Sequence, residues 1–200
     1  MVSDHYYSEH PQSESITETK QVKLNNHTFT FTTSSGVFSK KGIDFGTKLL
    51  IESFRAPDIS GDVLDLGCGY GPIGISVAFQ YKNRDILMVD INERAVSLAE
   101  ENIIQNKITN ALAKQSNGFE NVKRKSFAAI ITNPPIRAGK KVIYTFFEDS
   151  LDFLKEKGEL WIVIQKKQGA PSAITFLSSL FSNVEVVEKE KGYYIIRAIK

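Results

Sequence analysis

From about residue 61 onward, short apolar runs alternate with amphipathic stretches. The runs are Val63–Leu66, Ile86–Val89, Ala111–Ala113, Ala128–Ile131, Leu160–Ile164, Val184–Val187 and Tyr194–Ile199. Between them, helical spacing predicts helices over 72–81, 93–105, 141–155 and 170–180. Strands that alternate with helices imply a parallel sheet with right-handed crossovers and helices on both faces. The last two runs are separated only by Glu188–Gly192, too short for a helical crossover, so they should pair as an antiparallel edge hairpin. The expectation is an α/β, Rossmann-like, mostly parallel seven-stranded sheet with its ligand cleft at the carboxyl ends of the strands.

Ahead of this block the texture differs. Residues 1–20 are polar and read as an arm, leaving 21–200 as one domain. Gln21–Thr33 alternates Phe29 and Phe31 with threonines and contains Asn25-Asn26, a hairpin signal and hence a small N-terminal β extension. Residues 43–54 carry apolar side chains at helical spacing.

Composition narrows the picture little. At 42% hydrophobic, 24% charged and net +2, the chain has the balance of an ordinary globular protein. A single cysteine, Cys68, excludes an intrachain disulfide, and three histidines without paired spacing offer no metal site. No apolar run approaches the ~20 residues of a membrane span. The polar, acidic N-terminus is unlike a signal peptide, so a cytoplasmic setting is expected.

Two segments carry chemistry. Asp65-Leu66-Gly67-Cys68-Gly69-Tyr70-Gly71-Pro72-Ile73-Gly74 follows a strand and opens a helix, with Pro72 suited to its first turn. Glycines there let a ligand approach the backbone. Asp90 ends the next strand, placed to accept from ribose hydroxyls. Gly69-x-Gly71-x-x-Gly74 also satisfies the dinucleotide fingerprint, so a nicotinamide-dependent oxidoreductase competes. Asp65 argues against a pyrophosphate and for a cationic amino-acid ligand such as S-adenosylmethionine (SAM). Cys68 reads as a small loop residue.

The second segment is Asn133-Pro134-Pro135-Ile136, at the end of the run Phe127–Thr132. Two prolines remove two N–H donors and fix the chain just past a strand. Their carbonyls and the Asn133 side-chain oxygen form a cluster of acceptors, suited to a planar amine. In isolation such a tetrapeptide is a strand-terminating turn; after a glycine loop of this kind it reads as a site.

DLGCGYGPIG, VDIN, SNGFENV and NPPI, with SSGVFS and IDFGTKLL ahead of them, resemble the motifs of class I SAM-dependent methyltransferases, and more narrowly of the methyltransferase small domain family. That family's best-known members methylate the N2 amine of a guanine in small-subunit ribosomal RNA. The resemblance implies that Asp65, Gly67, Cys68, Gly69 and Gly71 line the methionine end of SAM, that Asp90 binds its ribose, and that Ile91 lies against its adenine. Asn117 stands where the family usually has an acidic residue facing the adenine amine. Asn133, Pro134, Pro135 and Ile136 would hold the target amine, Asn133 also bordering the cofactor, and no general base is called for. S-adenosylhomocysteine would be the product and no metal is implied. The resemblance also implies ribosomal RNA, free or in the small subunit, as partner.

Adenine-specific enzymes often carry an aromatic residue after the two prolines. Ile136 stands there instead, which favours guanine, and Phe38 is either the missing aromatic surface or an ordinary core residue. Lys40, Arg137, Lys140 and Lys141 are candidates for RNA phosphate contacts. Each lysine pair taken alone reads equally as solvated surface. Lys166-Lys167 joins them at the expected cleft, and Lys123-Arg124-Lys125 belongs at the opposite end of the sheet. Adenine in nucleic acid and a protein glutamine stay open as alternative methyl acceptors.

Overall fold

The computed structural model describes residues 16–34, 37, 42–123 and 126–200; Phe38, Lys40, Lys41, Arg124 and Lys125 lie outside them. A hairpin of β1 (Thr17–Leu24) and β2 (His27–Ser34) is followed by α1 (Phe45–Ser53). The alternating block then runs β3 (Val63–Leu66), α2 (Pro72–Gln80), β4 (Ile86–Asp90), α3 (Glu93–Gln105), β5 (Ala111–Gln115) and β6 (Phe127–Thr132). It continues through α4 (Lys140–Phe153), β7 (Leu154–Gln165), α5 (Ala170–Ser178), β8 (Asn183–Glu190) and β9 (Tyr193–Ile199).

The seven-stranded sheet has the order β5-β4-β3-β6-β7-β9-β8. β3 to β7 are parallel, and β9 runs antiparallel to both β7 and β8. The chain steps outward from β3 to β5 and then returns to β6 beside β3. Ligands bind at such a reversal of strand order, beyond the carboxyl ends of the strands.

Both faces of the sheet's centre are covered, and the side-chain alternation of its strands shows it. Val63, Ala129, Ile131, Trp161 and Val163 pack with α1, α2, α3 and the hairpin. Leu64, Phe127, Ile130, Leu160 and Ile162 pack with α4 and α5. Strands buried on both sides need continuous apolar runs.

Several expected boundaries move, and two of the shifts have a visible cause in strand pairing. β1 starts at Thr17, four residues before Gln21, because Thr17–Lys20 continue the ladder opposite Phe31–Ser34. The arm expected over 1–20 therefore gives up its last residues to the hairpin. Asn25 and Asn26 take positive φ (45° and 64°), as a two-residue hairpin loop requires. The helix expected over 141–155 ends at Phe153, since Leu154 pairs with Phe127 and opens β7.

The hairpin is held to the main body by two asparagines one helical turn apart. Asn102 accepts from Thr32 N (2.8 Å) and donates to Thr32 O (2.9 Å), while Asn106 makes the same pair with Thr30 (2.9 and 2.7 Å). Side-chain amides thus stand in for a neighbouring strand along the inner edge of β2. Asn102 also donates to Tyr70 O at 2.8 Å, tying the hairpin to the glycine loop.

Candidate active site

The site is built where β3 and β6 end side by side. Thr132 Oγ1 donates to Leu66 O at 2.7 Å, so the residues that leave the two strands, Gly67 and Asn133, start from linked positions. A cleft of about 940 Å³, open mouth included, lies beyond them. Its walls come from the glycine loop, Asp90–Ile91, Ser116–Gly118, Asn133–Pro135, the start of α1 and Phe146 of α4.

The glycine loop sorts into two kinds of position. Gly67 and Gly69 have positive φ (76° and 57°), and a Cβ on either would meet nothing within 4 Å. These two present bare backbone to the cleft. A Cβ at Gly71 would strike Met88 Cε at 2.7 Å, and one at Gly74 would strike Met88 Cγ at 2.5 Å. Those two let α2 sit down on β4. Gly71, expected to touch the ligand, instead caps α2 from beneath and is absent from the cleft wall.

The two acidic residues also separate. Asp90 lines the cleft, its Oδ2 accepting from Gly69 N (2.8 Å) and its Oδ1 from Asn92 N (2.9 Å). Burial raises its pKa, opposed by these N–H groups. Each carboxylate oxygen retains a lone pair for a further donor. Asp65 is fully buried beneath the loop and does not reach the cleft wall. Its Oδ2 accepts from Gly74 N at 2.8 Å, fixing the first turn of α2, and Oδ1 has no partner among the described residues. Desolvation pushes its pKa up to about 7, against the Gly74 hydrogen bond and with a smaller push from Asp90. The direct salt link from Asp65 to a ligand's ammonium group is therefore not the geometry here, and its charge does not face a pyrophosphate either. Cys68 is buried, its thiol set towards Gly69 O at 3.4 Å and its pKa raised by burial, so its backbone serves the loop.

Ile91 and Asn117 face the far end of the cleft. Asn117 Nδ2 donates to Glu120 Oε1 at 2.9 Å, which commits the amide nitrogen and leaves its oxygen as the acceptor. Phe146 was not singled out from sequence. Its ring packs so closely on Gly118 that a Cβ there would approach it to 2.8 Å, and it closes the wall beside Asn117. The available signal was the pair Phe146-Phe147 on one helix. Phe147 is fully buried, so its neighbour must face elsewhere.

Asn133, Pro134 and Pro135 line the inner end. Pro135 O accepts from Ala138 N at 2.8 Å, which closes a short 3-10 turn over Ile136–Ala138. No described donor takes Pro134 O. Asn133 Nδ2 donates to Thr47 Oγ1 at 2.9 Å, across 86 residues of sequence. Ile136 does not line the cleft; it packs against the core cluster of α4 and α5. Ile136, expected with its three neighbours to hold the amine, is thus set apart from them by the 3-10 turn. Arg137, Lys140 and Lys141 are exposed just past the cleft wall. Lys140 Nζ sits 4.9 Å over the Tyr144 ring. Lys166 and Lys167 group with Lys191 at the carboxyl end of β7, on the same edge of the sheet. Lys123 lines a separate cleft with Asp62 and Asp85 at the other edge.

The model of the methyltransferase small domain matches residues 28–197. The chain belongs to this family. It is 59% identical over its full length to the uncharacterized protein YbxB of Bacillus subtilis, all of which it covers. Ribosomal RNA small subunit methyltransferase C of Psychromonas ingrahamii is 31% identical over 91% of this chain and 52% of its own. Ribosomal RNA large subunit methyltransferase G of Yersinia enterocolitica is 28% identical over 95% and 49%. The chain thus spans about half the length of these two RNA methyltransferases. Among solved structures, the Thermus thermophilus 16S rRNA N2 G1207 methyltransferase, in complex with AdoMet and guanosine, superposes with a TM-score of 0.83. That pair shares 22% identity and covers 95% of this chain and 52% of the other. The Rossmann-like methyltransferase fold is the fold of this chain.

SAM, the family's methyl donor, fits this cleft on its own geometry. Gly67 and Gly69 leave room for close approach, the Asp90 carboxylate would accept from ribose hydroxyls, and the Asn117 oxygen would be the acceptor for an adenine amine. The oxidoreductase alternative is set aside by the family match, since Asp65, offered against it, lies beneath the loop.

Proposed function

We propose that this protein transfers a methyl group from SAM to an exocyclic amine of ribosomal RNA, and specifically to guanine N2 in the small subunit. When bound, SAM supplies a methyl group already activated by a cationic sulfonium. Gly67, Gly69, Asp90, Ile91 and Asn117 hold and orient it. The observation that carries the reading is that Asn133 and Pro134 both line the cleft and that no described donor takes the Asn133 side-chain oxygen or the Pro134 carbonyl. Together they take the two hydrogens of an amine and aim its lone pair along the cleft. Positioning of this kind accounts for a large share of a barrier when the leaving group is good.

The basic rim supports a polymer substrate. Arg137, Lys140 and Lys141 after β6, and Lys166, Lys167 and Lys191 around the end of β7, offer contacts to phosphates around an extruded base. The likeness to a small-subunit enzyme favours guanine N2, while the likeness to large subunit methyltransferase G favours the other subunit as a second reading. Action on ribosomal RNA places the protein in the cytoplasm.

The test is transfer from labelled SAM to ribosomal subunits of a strain lacking this protein, followed by nucleoside analysis. N2-methylguanosine in small-subunit RNA is expected. Label in methyladenosine or in protein glutamine refutes the guanine assignment, and label confined to the large subunit moves the target there.

A further inference from the structure

The start of α1 reaches the site through a short chain of hydrogen bonds. Asp44 caps the helix, its Oδ1 accepting from Thr47 N at 3.1 Å. Its Oδ2 accepts from Thr47 Oγ1 at 2.5 Å. Thr47 Oγ1 in turn accepts from Asn133 Nδ2 at 2.9 Å. Thr47 is buried, and Asp44, Thr47 and Asn133 all border the cleft.

An asparagine amide can face a ligand with either end, and the two ends have opposite chemistry. Presented as oxygen, Asn133 accepts from an amine; presented as NH2, it opposes one. The order of donors in this chain decides which. A carboxylate accepts and does not donate, so Asp44 takes the only hydroxyl hydrogen of Thr47. Thr47 Oγ1 is then left as an acceptor, and the group that meets it must be the Asn133 NH2. The amide oxygen consequently faces away from Thr47, and no described donor takes it.

We propose that Asp44 and Thr47 are positioning residues that lock the Asn133 amide with its oxygen towards the methyl acceptor. They act through Asn133 and do not touch the acceptor amine. The proposal rests on the reading of Asn133 as the residue that holds that amine. It also gives IDFGT a role: Asp44 and Thr47 stand at the first and fourth positions of a helix cap, where one carboxylate reaches both the backbone and the side chain three residues on.

The helix cap and the relay can be separated by substitution. Asn caps helices as well as Asp does. Asp44→Asn therefore leaves α1 intact but offers Thr47 an NH2, which frees the Thr47 hydroxyl to donate to the Asn133 oxygen and turn the amide over. Thr47→Val removes the hydroxyl at nearly constant shape, and Thr47→Ser retains it. Loss of one such hydrogen bond should lower kcat by about tenfold or more.

The experiment measures methyl transfer from SAM to unmodified ribosomal subunits, SAM affinity by calorimetry, and melting temperature, for Asp44→Asn, Thr47→Val, Thr47→Ser and Asn133→Ala. Side-chain amide NMR of Asn133, assigned from its loss in Asn133→Ala, gives a readout that needs no RNA. The expected pattern is lower kcat in Asp44→Asn and Thr47→Val with unchanged SAM affinity and melting temperature, recovery in Thr47→Ser, and a shifted Asn133 amide signal in Asp44→Asn. Full kcat, or an unmoved amide signal, in both Asp44→Asn and Thr47→Val overturns the relay while leaving the function intact. A fall in kcat matched by falls in SAM affinity or melting temperature overturns it in favour of a purely structural role. Full transfer by Asn133→Ala overturns the functional reading itself.

Discussion

The cofactor half of the cleft and the acceptor half are assembled in different ways. The cofactor half comes almost entirely from the turns after β3, β4 and β5, consecutive parallel strands. Its hydrogen bonds start from backbone N–H groups: Gly67 and Cys68 donate to Val89 O, and Gly69 and Asn92 to the Asp90 carboxylate. The acceptor half joins a tetrapeptide after β6 to a helix cap 86 residues earlier, through side chains. A backbone cradle tolerates side-chain change as long as the turn is kept. A side-chain relay fails with one hydroxyl. Substitutions in the first half should therefore move SAM affinity or folding, and those in the second should move transfer alone.

The largest expected effect in the cofactor half is that of Asp90→Ala. It removes the acceptors proposed for the ribose and the Gly69 anchor together, and charge-assisted hydrogen bonds are worth about 1.5–3 kcal/mol each. Loss of two should weaken SAM binding by on the order of 10²-fold or more in calorimetry. If affinity holds, the cradle is not where the cofactor sits. A pair of glycine variants divides the loop further. Gly74→Val drives its Cβ into Met88, and overpacking of this kind costs about 1–3 kcal/mol. It should lower the melting temperature. Gly67→Ala meets no neighbour and carries only the strain of its positive φ, about 1–2 kcal/mol. Its larger effect should be on SAM affinity. Equal behaviour of the two would erase the distinction between ligand-facing and packing glycines.

Asp65 tests the floor beneath the cradle. Its pKa is raised on folding, to about 7, so the native state binds its proton more tightly than the unfolded chain does. The stabilisation is complete below the ordinary carboxylate value and is lost as pH rises towards about 7. Asp65→Asn retains an acceptor for Gly74 N but does not titrate. Thermal melts between pH 4 and 8 should show the variant gaining on the wild type as pH rises through this window. Parallel curves would mean that Asp65 is solvated in the native protein.

The sequence made the same division visible. Apolar runs and a glycine loop are local signals, so the alternation of strands and helices, the edge hairpin and Asp90 at the end of its strand were legible from spacing alone. What Asp65 and Gly71 touch was not, because both face inward by one step of the strand or turn, and a motif names residues without giving their direction. Ile136 was misread for the same reason, its side chain turned into the core by the 3-10 turn. Phe146, and the link from Thr47 to Asn133, depend on which helix packs over which strand end, and only the folded chain shows that. Phe38 and Lys40 lie outside the described residues and remain expectations from sequence.

The central claim is that SAM binding and amine capture are separate functions of the two halves, and Asn133→Ala tests it most directly. In one preparation, SAM affinity is measured by calorimetry and transfer to ribosomal subunits by label incorporation. The account predicts an affinity within about twofold of the wild type and transfer reduced on the order of 10²-fold, the size of effect expected when a reacting group is misplaced. Transfer at the wild-type rate would contradict it.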